Sequence, residues 1–455
     1  MKIAVAVWLA AAFLVVLILC LRRQPAPDAP MAKAPAPSGP ADLPAKVAEL
    51  DAAKSTPKIS AAPVDPGKLL AGLAKALRDS DEKAARAILK QLHGLLYPPV
   101  PDDQNAILIY QKAFDIAREK LGGLIPKGLD RTAYSAVFSG EEMNPEQAAA
   151  LRAWFEKDGA ALSEVNSLLL DAAKMNQCRL PGGEAELKAL TGLQTAGQLL
   201  RVSALMEHQR GRTAEAADLV LAELGVARLT RSTPNHLAQI LGCAIEFTAF
   251  QGLREMLDPS TPAIATWLDG VDPASVRSSS LRALLGNVDL LVSEVFAVRE
   301  NPARSDDEEF RKQALSPLAF QDMAAYVESM IDFSKLAERP YYEAKSDLDA
   351  LMCSHGELAP WYASLTQDTV RGMDGLSRVV ARSEATTSMA KLGLELERYR
   401  VKNTGYPESL DALKFKGLPD PFTGQPFIYR RDGIGFVLES PGGAGGKDAQ
   451  TWRSR

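Results

Sequence analysis

The chain is poor in the residues that most often carry chemistry. Its 455 residues include only four His and four Cys. That is too few for a His-rich metal protein or a disulfide-stapled scaffold. No HExxH, GxGxxG or P-loop spacing occurs. Aromatic residues make up 6%, which leaves little of the material that favours sheets. Neither sign of charge dominates: 52 Lys and Arg stand against 57 Asp and Glu, a net charge of -5. Nucleic-acid binders usually show a basic patch or stripe, so this balance points away from nucleic acid. Ala and Leu, both strong helix formers, are abundant. With 46% hydrophobic and 24% charged residues, the composition is that of a globular protein. At roughly 100–200 residues per domain, two to four units are expected.

One long apolar run is present. Ile3 to Leu21 reads IAVAVWLAAAFLVVLILCL, with Lys2 before it and Arg22-Arg23 after it. At about 1.5 Å per residue it spans roughly 28 Å, close to the hydrocarbon thickness of a bilayer. A cleavable signal has only about 7–15 apolar residues and then a small-x-small site. Here Arg22-Arg23-Gln24-Pro25 follows, so residues 1–23 read as an uncleaved single-pass transmembrane anchor. Leu19 before Cys20 speaks against lipid attachment there. Basic residues nearly balance across the run, so they do not set its orientation. Residues 24–66 hold 10 Pro and 12 Ala in 43 positions. Proline fixes φ and removes donors, so this segment reads as a semi-extended linker. An Ala/Pro tether behind an anchor is common in bacterial envelope proteins. The expectation is an inner-membrane protein whose body is periplasmic and whose membrane partner is reached through the N-terminal helix.

Residues 67–383 read as helix almost throughout. Six pairs join a capping residue to proline: Asp65-Pro66, Asn144-Pro145, Thr233-Pro234, Thr261-Pro262, Asp272-Pro273 and Ser316-Pro317. The cap oxygen accepts an orphan N–H, and proline has none to leave unsatisfied. Between them apolar residues recur at helical spacing. One face carries Leu193, Ala196, Gly197, Leu200 and Ala204. The next carries Ala217, Val220, Leu221 and Leu224. A third carries Leu237, Ile240, Leu241, Ala244 and Thr248. A hairpin is expected at Gly211-Arg212, with Thr213 capping the second helix. The unit is tetratricopeptide-like, but no 34-residue period repeats. The expected fold is therefore mainly α: a helical-hairpin body, either tetratricopeptide-like or an irregular α array.

Residues 384–455 differ. A long helix ends near Lys402, and Phe427–Arg430 and Gly435–Glu439 alternate as strands around Arg431-Asp432-Gly433. Asp-Gly between such runs is a hairpin signal. A small C-terminal α+β domain is expected, with Phe422, Phe427, Tyr429, Phe436 and Leu438 packed on Leu392, Leu396 and Tyr399.

This tail resembles the carboxy-terminal part of the type II secretion major pseudopilin, the G-type family. The pieces that carry the likeness are LELERYRVK at Leu394–Lys402, Gly405-Tyr406-Pro407 with Ser409-Leu410 and Leu413, and Asp420-Pro421-Phe422. After these come Gly424-Gln425-Pro426-Phe427 with Tyr429, Gly435-Phe436, Ser440-Pro441-Gly442, Asp448 and Trp452. Their order and spacing agree along the whole tail. Three features depart from the family. Residues 1–21 lack its Gly–Phe…Glu processing site. Some 360 residues separate the run from the tail. The family's last loop binds calcium through several acids, whereas here Ala444 stands in the place of the first and Asp448 alone remains. Calcium takes about six to eight oxygens, so the tail is expected to fold without it, with Asp448 the one weak metal candidate. The body is similar to that of membrane-anchored proteins of planctomycete- and verrucomicrobia-type bacteria, through Val100-Pro101-Asp102-Asp103-Gln104-Asn105-Ala106 with Tyr110 and Ala113, and through the helix pairs across 199–257. That likeness implies architecture and location and no activity.

No catalytic or cofactor-binding set emerges. His93, His208, His236 and His355 are scattered. Cys353 and His355 stand two apart, which on one helix points them in different directions, and Gly356 reads as a helix end. Cys243 sits in an apolar run and reads as core. Cys178, Cys243 and Cys353 leave an odd count, from which one disulfide can be drawn but none is required. The Gly442–Gly446 run has no helix behind it to present to phosphate. Ser305–Glu309 and Glu141-Glu142 read as helix starts, and Tyr341-Tyr342 and Trp361-Tyr362 as packing pairs. The expected function is a non-enzymatic, membrane-tethered envelope scaffold or binding protein with a pseudopilin-like tail and unidentified protein partners. The alternatives are a component of a type II secretion or pilus-like assembly, and an enzyme with an unrecognised site in the body.

Overall fold

The first helix starts where the linker's proline density ends. The computed structural model describes residues 65–123, 137–138, 144–181, 184–256, 261–357, 364–413, 419–442 and 449–454. The expected anchor and the linker up to residue 64, with Glu141-Glu142, Trp361-Tyr362, Ala444 and Asp448, lie outside these, and Pro66, the linker's expected last residue, opens the first helix. No described helix is long and apolar enough to cross a membrane.

Helices α1 (Pro66–Arg78) and α2 (Glu82–Leu96) lead to α3 (Ala106–Lys120), α4 (Pro145–Lys157) and α5 (Gly159–Lys174). The long helices α6 (Glu184–Gln209), α7 (Thr213–Arg231) and α8 (His236–Met256) follow. Then come α9 (Pro262–Gly270), α10 (Ser275–Glu300), α11 (Glu308–Leu315), α12 (Ala319–Ala337) and α13 (Tyr341–Glu357). The last helix, α14 (Ser364–Asn403), has 40 residues. The tail adds β1 (Ile428–Asp432), β2 (Gly435–Ser440) and β3 (Gln450–Arg453) as one antiparallel sheet in that order. The chain is thus mainly helical with a small C-terminal sheet. The third strand was not legible as a strand. It is four residues long and pairs Leu438 with Trp452.

Helices α6, α7 and α8 pack as successive hairpins, and Gly211 turns the first at φ 77°, a backbone region open to glycine. The pairing then leaves nearest-neighbour order: α1 lies on α12 and α2 on α10. Helix α8 touches α6, α7, α10 and α14. That central position corrects one expected face. Leu237, Ile240, Ala244 and Thr248 are only half-buried, whereas Ala238, Ile245, Ala249 and Leu253 are buried. The faces expected for α6 and α7 are buried, apart from half-buried Leu221. Residues 66–455 form one compact unit, and α14 runs unbroken through position 384.

The expected caps divide by what proline does locally. Asn144 forms a full capping box with Gln147. Thr261 stands at its cap position without a side-chain bond. At the other internal pairs the proline sits in a turn ahead of the helix. Asn235 caps α8 through Leu237 and Ala238, Asp272 accepts from Ala274, and Ser316 accepts from Leu318. Thr213 is the first residue of α7, whose cap position is Arg212. Asp307 caps α11.

Gly286 of α10 sets the closest approach. A Cβ there would stand 1.7 Å from the Pro234 carbonyl oxygen, so only glycine lets this helix rest on the turn before α8. Gly286→Ala is therefore expected to cost about 1–3 kcal/mol through overpacking. Gly94→Ala, on exposed α2 with no neighbour within 4 Å, should be neutral or stabilising by up to about 1 kcal/mol. Thermal melts of the two variants check the pair.

Candidate functional site

Three of the tail's motif pieces, Asp-Pro-Phe, Gly-Gln-Pro-Phe and Ser-Pro-Gly, meet at Asp420, which is fully buried. Its carboxylate accepts from the Phe422 N–H at 3.1 Å, the Thr423 hydroxyl at 3.1 Å and the Ser440 hydroxyl at 3.1 Å. Its N–H donates to the Gln425 carbonyl at 2.8 Å. Asp-Pro-Phe and Ser-Pro-Gly, separate in sequence, are thus two ends of one hydrogen-bonded turn. Tyr429 donates to the Pro407 carbonyl at 2.7 Å, and Tyr406 packs edge-on to Phe436 with centroids 5.1 Å apart. Phe422, Phe427, Phe436 and Leu438 share the core with Leu392 and Leu396, while Tyr399 and Tyr429 are partly buried against it. Helix α14 contacts β2 and β3.

The tail turn sits against the start of α13. Tyr341 packs edge-on to Phe422 at 5.5 Å, and the Tyr342 N–H donates to the Pro421 carbonyl at 2.9 Å. Beside this contact, Arg277 of α10 grips Glu384 of α14 with two bonds of 2.9 and 2.5 Å. Its third nitrogen donates to the Glu338 carbonyl at 3.3 Å. A cavity of about 60 Å³ opens here, walled by Pro273, Pro340, Pro419 and Pro421 with Tyr342.

Charges are also buried inside the body. Glu223 of α7 is fully buried and Arg201 of α6 is 2% exposed. Arg201 donates to Glu255 at 3.1 Å, while its Nε and Nη1 and the Glu223 Oε2 have no hydrogen-bond partner. Thr248 Oγ1 lies 2.5 Å from Glu223 Oε1 and 2.8 Å from the Ile245 carbonyl. A hydroxyl has one proton. Given to Ile245, it leaves the Glu223 contact to be made by a proton on the carboxyl. Burial pushes Glu223 up to about 8, against the opposing pull of Arg201 and Thr248. A second pair, Arg231 with Glu246 at 2.9 Å, also receives Ser383 of α14.

A third cluster faces outward. His93 Nδ1 is 2.8 Å from Asp289 Oδ2, and the ring stacks on Tyr97 at 4.8 Å. Asp289 is raised by burial and lowered by His93. The phenol of Tyr97 is raised by burial, then by Glu186 and Asp289. Burial lowers His236 to about 4, so its ring is neutral at pH 7. Among the described residues no serine, threonine or cysteine hydrogen-bonds to His93.

The remaining sequence candidates separate. Cys178, Cys243 and Cys353 are free thiols, and Cys243 is buried as expected. Cys353 is exposed near the end of α13, which runs one residue past Gly356. Asn105 of the body motif caps α3 and accepts from the Arg179 N–H at 2.9 Å, pinning the segment after α5. Tyr110 and Ala113 are buried. Those motif residues hold helices together. The buried ion pairs were missed, although Glu223 lies on the stripe of Ala216, Val220 and Ala227. The His93–Asp289 pair spans 196 positions and leaves no local signal.

Glu223 gives a pH test. The unfolded carboxyl titrates near its ordinary value of about 4.5 and the folded one near 8. Between these values the folded state holds the extra proton, so stability falls as pH rises through the window and levels off above it. The slope from this group approaches about 1.4 kcal/mol per pH unit. Glu223→Gln should remove that slope and be the more stable protein at pH 8.5, read by urea melts at pH 5.5, 7 and 8.5.

No protein-family model, curated protein or solved structure matches this chain.

Proposed function

We propose that this chain is a membrane-tethered envelope protein with a non-enzymatic role. Its helical body serves as a scaffold or binding surface, and its tail as a pseudopilin-like head. The observation that carries the reading is the convergence on Asp420. The residues that give the tail its likeness form one turn, one sheet and one helix face. The tether rests on the apolar run Ile3–Leu21 and the Ala/Pro segment behind it. A scaffold is further supported by where the charges go. Arg231, Glu246, Arg277 and Glu384 are spent on one another across helix contacts.

Helices α8, α12 and α13 pack on α14, which supports reading the tail as joined to the scaffold body. The tail is proposed to fold without calcium, and the body to lie on the periplasmic side of the inner membrane.

The full-length protein tests this. It should stay in the membrane pellet after an alkaline wash, and residues 66–455 should be cut by protease added outside spheroplasts. Mass spectrometry should recover the N-terminal segment intact apart from loss of Met1. A reporter fused after residue 60 that works only in the cytoplasm would overturn the orientation. A shortened, methylated N-terminus would favour the assembly subunit.

A further inference from the structure

Arg201 stands between two carboxylates and bonds only one of them. Gly197 of α6 sets its level, because a Cβ there would lie 2.7 Å from the Ile245 side chain of α8. Helices α6 and α8 each form a hairpin with α7, so they run in the same direction. Four residues further along both helices, at the same rise, Arg201 stands level with Ala249. Thr248 is the neighbour of Ala249, and Thr248 meets Glu223. The Arg201 backbone is therefore at the level of the Glu223 carboxyl. Its side chain runs on along α8. A Cβ on Gly252 would stand 2.7 Å from Arg201 Nη1 and 3.1 Å from Val220, one turn of α7 before Glu223. Beyond Gly252 the guanidinium donates to Glu255. Arg201 Nε and Nη1 and Glu223 Oε2, all buried, have no hydrogen-bond partner.

The two carboxylates differ in their access to water. Glu223 is fully buried, whereas the Glu255 side chain is 20% exposed. An ionised carboxylate without a partner is costly in the interior and far less so where water reaches it. A single guanidinium between two ionised carboxylates is therefore drawn to the one that water cannot reach. The other charges around Glu223 are spent or face elsewhere. Arg228 of α7 bonds carbonyls at the end of α5, which packs on the far face of α7 where Gly225 meets Ala173. Arg231 holds Glu246, and Asp269 of α9 holds Arg398. Arg282 and Asp289 of α10 bond the Leu96 carbonyl and His93. Arg254 lies about 200° around α8 from Gly252.

We infer that Arg201 is a two-position switch: it ties α6 to Glu255 while Glu223 carries a proton, and turns to Glu223 when that proton leaves. The release of Glu255 removes a tie from the last turn of α8, which ends at Met256. Protonation inside the body is thereby linked to the hold on one helix end. The folded Glu223 value near 8 sets the turn in mildly alkaline solution.

Double-mutant cycles on the full-length protein, read by urea melts at pH 6.5 and 9.5, test the switch. Arg201→Met and Glu255→Gln should show a coupling of about tenfold in the unfolding constant at pH 6.5, and under about twofold at pH 9.5. In a Glu223→Gln background, which cannot ionise, the coupling should stay near about tenfold at both. Coupling that persists at pH 9.5 with Glu223 present, or that is lost in the Glu223→Gln background as well, overturns the switch. Should Arg201→Met fail to fold, infrared spectra carry the test. At pH 6.5 the protein should show a carboxylic-acid band that Glu223→Gln removes. In Glu255→Gln, where Arg201 is free to turn, that band should vanish at a pH lower by at least about one unit. A missing band at pH 6.5, or a smaller shift, overturns the switch.

Discussion

The structure depends on a short polar stretch in the middle of a buried helix. Residues Ser383, Glu384, Thr386, Thr387 and Ser388 of α14 are all buried. Successive helical positions point about 100° apart, so this stretch reaches in several directions at once. Ser383 bonds Glu246 of α8, Glu384 grips Arg277 of α10, and Thr386 bonds Gln450 of β3. Thr387 and Ser388 return their protons to carbonyls four residues back. Each group left unpaired at such a site would cost about 1–3 kcal/mol. One register of α14 satisfies them together. That register fixes the body on one side and the sheet on the other.

Buried ion pairs of this kind do little for net stability, because desolvation offsets much of the attraction. Their effect is on uniqueness. Sliding α14 by one residue would strand Glu384 and Ser383 among apolar neighbours. The same logic holds for Arg231 with Glu246 between α7 and α8. Rigid placement of helices suits a protein whose work is to present a surface.

Much of the architecture could be read from local patterns. The Asp-Gly hairpin, the helical stripes of α6 and α7 and the tail core follow from periods of two and 3.6 and from glycine at Gly211. What was misread has a common cause. Helix α8 is packed on several sides, so its apolar pattern has no single face. The prolines after Thr233, Asp272 and Ser316 shape turns through contacts that begin before the helix does. The sites were less legible than the fold. The pieces of the Asp420 turn stand in the sequence, but its closure through Ser440 needs the sheet. The pairings of Arg277 with Glu384 and His93 with Asp289 join residues 107 and 196 positions apart, and no local rule links them.

The central claim is that α14 makes body and tail one cooperative unit. Hydrogen exchange of the full-length protein in a urea series tests it directly. Amides of residues 385–396 in α14, of Val437 and Leu438 in β2, and of residues 243–253 in α8 should open with one common free energy and one denaturant dependence. Exchange of the β2 amides at a clearly lower free energy, while α8 and α14 stay protected, would show that the tail folds and unfolds by itself and would contradict the account.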